Sequence, residues 1–209
     1  MCILPKFSQY IFMKFEADII RLLQTNMTPT WITIFQIISL FGGYLGFILT
    51  FFVVFIKKKS LGYAFFVAYF ASQLLNRALK LLVARNRPFV DYADIFNYDN
   101  EDGYSFPSGH SLGAGIFATY LVYVIICAKF SKADKVLSII AVCLFALTIM
   151  FSRMTLGVHY LTDTIVGVIF GILFAILSIL LYNVLVKKYT IKYLKNGESN
   201  GRNFVGGDK

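Results

Sequence analysis

Charged residues are scarce in this chain: 15% of its 209 residues are Asp, Glu, Lys or Arg, where a soluble domain carries about 25%. Beside 58% hydrophobic residues and a mean hydropathy of +0.70, that scarcity excludes an ordinary cytosolic enzyme, a disordered protein and a nucleic-acid binder. Cysteine is scarce too. Cys127 and Cys143 lie in apolar runs and Cys2 at the terminus, so the three supply neither a disulfide framework nor metal-ligand spacing. Residues 1–8 lack a charged stretch followed by an apolar one, so no cleavable signal peptide is expected. No internal repeat, phosphate-binding Gly-rich loop or carboxylate cluster suited to Mg²⁺ stands out. Histidine occurs only twice, as His110 and His159.

Apolar sequence is what abounds. A membrane-crossing helix takes about 20 mostly apolar residues, and five stretches qualify: 31–56, 61–83, 108–129, 136–151 and 159–186. The fourth is short unless it extends through 152–156, and the last is long enough to tilt or protrude. Ahead of them Phe7, Ile11, Phe12, Phe15, Ile19, Leu22 and Leu23 recur at helical spacing, interrupted by Lys14, Asp18 and Arg21. That pattern predicts an amphipathic helix lying in the interface. The alternative is a sixth span, which would carry Glu16, Asp18 and Arg21 into the bilayer at a cost. The expected fold is all-α: a polytopic membrane helix bundle of about five transmembrane helices plus an N-terminal amphipathic helix. It forms one membrane-embedded domain over 1–195, followed by a Gly/Ser/Asn-rich, disordered cytoplasmic tail over 196–209.

The cations set an orientation. Lys57, Lys58 and Lys59 follow the first span, Lys129, Lys132 and Lys135 the third, and Lys187, Lys188, Lys192, Lys195, Arg202 and Lys209 the last. Five spans put all three groups on one face, which the positive-inside rule makes cytoplasmic. Residues 84–107 and 153–158 then meet on the opposite face.

The polar residues that do not suit a membrane gather toward that face. Gln73, Asn76, Arg77, Lys80 and Arg87 are spaced by three, four or seven, which keeps them on or near one face of the second span up to Pro88. Arg85 lies off that stripe and reads as a snorkelling anchor. The third span opens with Phe106-Pro107-Ser108-Gly109-His110-Ser111, a helix start whose free N–H groups suit an anion, with Pro107 expected in the first turn. His159 and Asp163 stand at i, i+4, so the carboxylate can fix one ring nitrogen and leave the other nucleophilic. Clustered Lys80, Arg87 and Arg153, with Arg77 slightly deeper, repel one another and are tolerable only around an anion. Guanidinium forks and a helix N-terminus favour a phosphate-like group, and an oriented imidazole beside it suits phosphoryl transfer. A zinc set of His110, His159 and Asp163 is possible in residue type, but the surrounding cations oppose it. Asp91, Asp94, Asp99, Glu101 and Asp102, ahead of Pro107, read as a solvated loop, the alternative being a lid.

On these residues the chain resembles the type 2 phosphatidic acid phosphatase superfamily of integral-membrane lipid phosphatases, as found in phosphatidylglycerophosphatases and undecaprenyl-diphosphate phosphatases. Lys80 through Arg87-Pro88 fits the first motif, Pro107-Ser108-Gly109-His110 the second, and Ser152-Arg153 with His159 and Asp163 the third. The match covers about 61–170, roughly half the chain. The resemblance implies that His159 attacks phosphorus to give a phosphohistidine, that Asp163 orients it, and that His110 protonates the leaving oxygen. It implies that Lys80, Arg87, Ser108, Gly109 and Arg153 hold the phosphate, with no metal or other cofactor. Asn76 and Arg77 fall outside the motifs and are placed behind the site by helix face alone. The implied partner is a membrane lipid phosphate such as undecaprenyl diphosphate, phosphatidylglycerol phosphate or phosphatidic acid, not nucleic acid. The implied place is the cell membrane, with the site extracytoplasmic and the C-terminus cytoplasmic. A phosphotransferase or a non-catalytic lipid or anion transporter would share the same cation cluster.

Overall fold

Eight helices and no strand make up the described residues, 6–204, of the computed structural model, with side chains described for 13–189. They are α1 (Lys6–Gln24), α2 (Pro29–Leu40), α3 (Tyr44–Lys57), α4 (Lys59–Val83), α5 (Pro88–Asp91), α6 (Gly109–Cys127), α7 (Lys132–Thr155) and α8 (Leu161–Phe204). Three helices are long and apolar enough to cross a membrane: α6, α7 and the Leu161–Tyr189 part of α8. The bent pair α2 and α3 makes a fourth if the two are counted as one span. α4 has the length, but Gln73, Asn76, Arg77 and Lys80 dilute its apolar character.

The first expected span, 31–56, is two helices meeting at 42°. Thr28 caps α2 by accepting from the Trp31 N–H, with Pro29 in the first turn. The chain then breaks at 41–43 because α6 passes too close for a side chain. A Cβ on Gly42 would lie 2.8 Å from the His110 carbonyl oxygen and 2.8 Å from Ile149 Cγ2. The break therefore lies against His110.

α4 also departs from expectation. It ends at Val83, and Ala84 caps it in the left-handed conformation at φ 49°, its N–H returning to the Lys80 carbonyl. Arg85 and Arg87 thus leave the helix, and the stripe that predicted Arg87 on the α4 face stops at Lys80. At α6, Ser108 is the cap, its Oγ accepting from the Ser111 N–H, so Pro107 precedes the helix instead of sitting in its first turn. A Ser side chain can cap, and Pro cannot.

The bundle centres on α6, which packs against α8 through small residues: a Cβ on Gly171 would fall 2.2 Å from the Leu112 carbonyl oxygen. Around this contact Val54, Phe65, Tyr69, Ile116, Phe117, Tyr120, Ala175 and Ile179 form the main apolar core. A second cluster of Ala17, Ile20, Ile95, Met154 and Tyr160 seats α1 on the site end of α7. The packed face of α1 is Glu16, Ala17 and Ile20, while Phe15 and Leu22 of the expected apolar stripe are exposed. Phe7, Ile11 and Phe12 of that stripe lie outside the described side chains. Arg21 pins α1 to the loop after α5 through Asp94, whose carboxyl it holds below the usual range. The backbone of α8 is helical to Phe204. The tail expected from Asn196 falls on side chains outside the described set.

Candidate active site

One end of the bundle gathers the polar residues. The end of α4, the 84–108 loop, the start of α6, the end of α7 and the turn before α8 meet there, as the two-segment expectation required. Arg153 comes from the last turn of α7 and is fully buried. Its Nη1 donates to Ser39 Oγ and Asp99 Oδ2, and its Nη2 donates to Glu101 Oε1 at 2.8 Å. Its Nε has no hydrogen-bond partner. Arg87 reaches in from the loop, donating from Nη1 to the Val158 carbonyl at 3.0 Å and from Nη2 to Glu101 Oε2 at 2.9 Å. Lys80 Nζ donates to the carbonyls of Tyr104 and Ser105.

Glu101 therefore lies across two guanidinium groups, and its Oε1 stands 3.8 Å from His110 Nδ1. Burial works to raise this carboxyl, but Arg153 and Arg87 outweigh burial and hold it below the usual carboxylate range. The acidic loop is solvated only in part: Asp91, Asp94 and Asp102 are exposed as expected, whereas Asp99 and Glu101 are half-buried. Asp91 accepts from Tyr160 Oη, Asp94 pairs with Arg21, and Asp99 and Glu101 close on Arg153. Repelling cations recruit the nearest carboxylates, which composition cannot disclose.

His159 is 2% exposed, in the turn that leads into α8. Its Nδ1 lies 3.6 Å from Asp163 Oδ2 and has no hydrogen-bond partner, so the pair is within ionic reach but longer than a hydrogen bond. Asp163 Oδ2 accepts instead from the Tyr160 N–H at 2.9 Å, and Oδ1 from Arg85 Nη1 at 2.7 Å. The Asp163 carbonyl accepts from the Ser108 N–H at 3.0 Å, which ties the first turn of α8 to the start of α6. Asn76 is buried beside that start, its Nδ2 3.1 Å from where a Gly109 Cβ would stand.

Of the sequence-predicted residues, Lys80, Arg87, Ser108, Gly109, His110, Arg153, His159 and Asp163 stand at this end, and Asn76 behind them. Arg77 does not join them: it is exposed, one residue round the helix from buried Asn76. Sequence reasoning missed Arg85, whose Nη2 also donates to buried Glu16 at 2.7 Å and whose guanidinium lies 4.0 Å over the Tyr160 ring. It is no snorkelling anchor. It missed Glu101, Asp99 and Ser39 as partners of the cations as well. Among the described residues, no group of three His, Cys, Asp or Glu is arranged to hold a metal ion. The arrangement can bind a tetrahedral anion between guanidinium groups and a helix N-terminus, with two imidazoles at hand.

Three curated relatives are similar to part of this chain. Phosphatidylglycerophosphatase B of Bacillus subtilis is 34% identical over 115 residues, 54% of each chain. Phosphatidylglycerophosphatase B of Haemophilus influenzae is 32% identical over 44% of this chain and 39% of its own. Lipid A 4'-phosphatase of Bacteroides thetaiotaomicron is 35% identical over 48% and 44%. The chain thus spans about half or less of the length of these relatives. Two solved structures share the fold at 24% identity. A transmembrane PAP2 type phosphatidylglycerolphosphate phosphatase from Bacillus subtilis gives a TM-score of 0.70 over 80% of this chain and 84% of that one. The LpxE of Aquifex aeolicus gives 0.64 over 78% and 93%. The PAP2 superfamily profile matches residues 60–187, from α4 into α8, a stretch that contains the residues of the cluster from Lys80 to Asp163, and the chain belongs to that superfamily.

Proposed function

We propose that this chain is a multi-pass membrane phosphatase that removes a terminal phosphate from a lipid phosphate or diphosphate through a phosphohistidine at His159. The observation that carries this reading is the convergence of Lys80, Arg87 and Arg153 with the start of α6 and both histidines at one end of an apolar bundle. The phosphate takes the seat that Glu101 fills, between Arg87 and Arg153, and gains the free Arg153 Nε and the N–H groups of Gly109 and His110 in the first turn of α6. Nδ1 of His159 faces Asp163, which leaves Nε2 to attack phosphorus while the P–O bond to the lipid breaks. His110 gives the departing oxygen its proton, then takes one from the water that cleaves the P–N bond. The cations neutralise the transition state, so no metal is required. The tail stays in the bilayer, and undecaprenyl diphosphate, phosphatidylglycerol phosphate and phosphatidic acid all present the group this site takes. Five spans, with α4 and the bent α2–α3 pair each counted as one, put the site on the extracytoplasmic side of the cell membrane and the C-terminus in the cytoplasm.

Purified wild-type and His159→Asn proteins test the reading with these three lipids in excess chelator. The wild type should release phosphate and form an acid-labile phosphoprotein. The variant should lose both, the rate falling by about a thousandfold or more. Equal release by the two proteins removes the nucleophile. Release that needs added metal reverses the metal-free mechanism. Transfer of phosphate to a second lipid marks a phosphotransferase, and movement of labelled lipid by both proteins without release marks a transporter.

A further inference from the structure

Glu16 belongs to α1, outside the PAP2 match at 60–187, yet it is fully buried. Its Oε1 accepts from the Thr162 N–H and Oγ1, both at 2.7 Å, and its Oε2 accepts from Arg85 Nη2. Arg85 Nη1 donates at 2.7 Å to both Thr162 Oγ1 and Asp163 Oδ1. One guanidinium is therefore held between two buried carboxylates and stacked on Tyr160, and the second of those carboxylates, Asp163, stands 3.6 Å from His159 Nδ1 through its Oδ2. A lone carboxylate buried so deeply would favour its neutral form. A charge-assisted bond from a planar fork compensates a buried carboxylate and fixes its plane.

We infer that Glu16 and Arg85 form a positioning pair that holds Asp163 aimed at His159, so that seating of the N-terminal helix sets the readiness of the nucleophile. The inference rests on the histidine mechanism proposed above. Arg85 does not touch the phosphate seat. It acts on Asp163, which must accept or balance the proton on Nδ1 as Nε2 bonds to phosphorus. Glu16 neutralises the remaining charge of Arg85 and anchors the first turn of α8 through Thr162, so α1, α8 and the loop after α4 share one network. Loss of Glu16 frees Arg85 to swing, and loss of Arg85 leaves Asp163 uncompensated.

The test uses the full chain, purified in detergent, with phosphatidic acid as substrate and orthovanadate as a probe of the phosphate seat. Arg85→Ala should lower kcat by about a hundredfold and Glu16→Gln by about tenfold, the scale expected when a reacting group is misplaced by about 1 Å. KM and the vanadate inhibition constant should stay within about threefold in both, because Lys80, Arg87 and Arg153 are untouched. Glu16→Asp and Arg85→Lys should recover part of the rate. The double variant should be no worse than Arg85→Ala alone, the coupling expected of one unit. Full kcat in Glu16→Gln, vanadate affinity falling in step with kcat, or additive losses each overturn the inference. If Arg85→Ala fails to fold, the near-isosteric Glu16→Gln decides alone. Wild type inactive toward phosphatidic acid and toward the two other lipids named above would condemn the phosphatase reading, whereas an active wild type with a normal Glu16→Gln would condemn only the pair.

Discussion

Glu101 shows how far individual side chains can be read from sequence. That cations need an anion among them was legible from the spacing of Lys80, Arg87 and Arg153. Which anion answers was not, because it depends on a loop folding back to bring Oε1 and Oε2 to 2.8 Å and 2.9 Å from two guanidinium groups. Arg85 was misread for a related reason: helical spacing was extended past a helix that ends at Val83. If Glu101 fills the phosphate seat, its charge competes with substrate. Glu101→Gln keeps the shape and removes that competition. Vanadate should then inhibit about tenfold more tightly, a change of about 1.4 kcal/mol. The variant without ligand should also melt lower, since two buried cations lose their partner, and added phosphate should restore it. An unchanged or weaker vanadate constant would place Glu101 outside the seat.

Helices were legible where apolar runs were long, as in α6, α7 and α8. Their breaks depend on what packs alongside. The interruption of 31–56 at Gly42–Gly43 answers to α6, and no pattern within the segment itself discloses a neighbour 2.8 Å from where a Gly42 Cβ would stand. Under the function proposed above, the break has a consequence for the tail of a lipid substrate. Between α3, α6 and α7 lies an apolar cavity of about 370 Å³ lined by Phe41, Ala118, Ala146 and Ile149 among others. Its rim at Phe41 and Ile149 adjoins Gly42, which touches His110. A chain in this groove would continue directly from a headgroup at the histidines. Ala146→Phe should therefore raise KM for a long-chain lipid phosphate about tenfold, while kcat/KM for a short-chain, water-soluble phosphate stays unchanged. Equal effects on both substrates, or none on either, would detach the groove from catalysis.

For the whole molecule, the placing of 84–107 and 153–158 at one end follows from alternating spans, and the fold brings them together through Tyr98, Arg87 and Arg153. Which side of the membrane that end faces is a separate matter, decided during insertion by loop cations rather than by packing. Lys57, Lys58 and Lys59, where α3 passes into α4, argue for the cytoplasm at the opposite end. Single cysteines separate the two faces once Cys2, Cys127 and Cys143 are replaced by Ser, which matters because Cys127 and Cys143 are exposed. In intact cells an impermeant maleimide should label Asp102→Cys, in the loop before α6, and spare Lys59→Cys until the cells are opened. Both positions are exposed, Asp102 in the loop between α5 and α6 and Lys59 at the start of α4, so burial does not confound the comparison. The reverse pattern would turn the molecule over: the fold and the cluster would stand, but the phosphate would have to arrive on cytoplasmic lipids. Labelling of both sites in intact cells would break the odd count of spans between them.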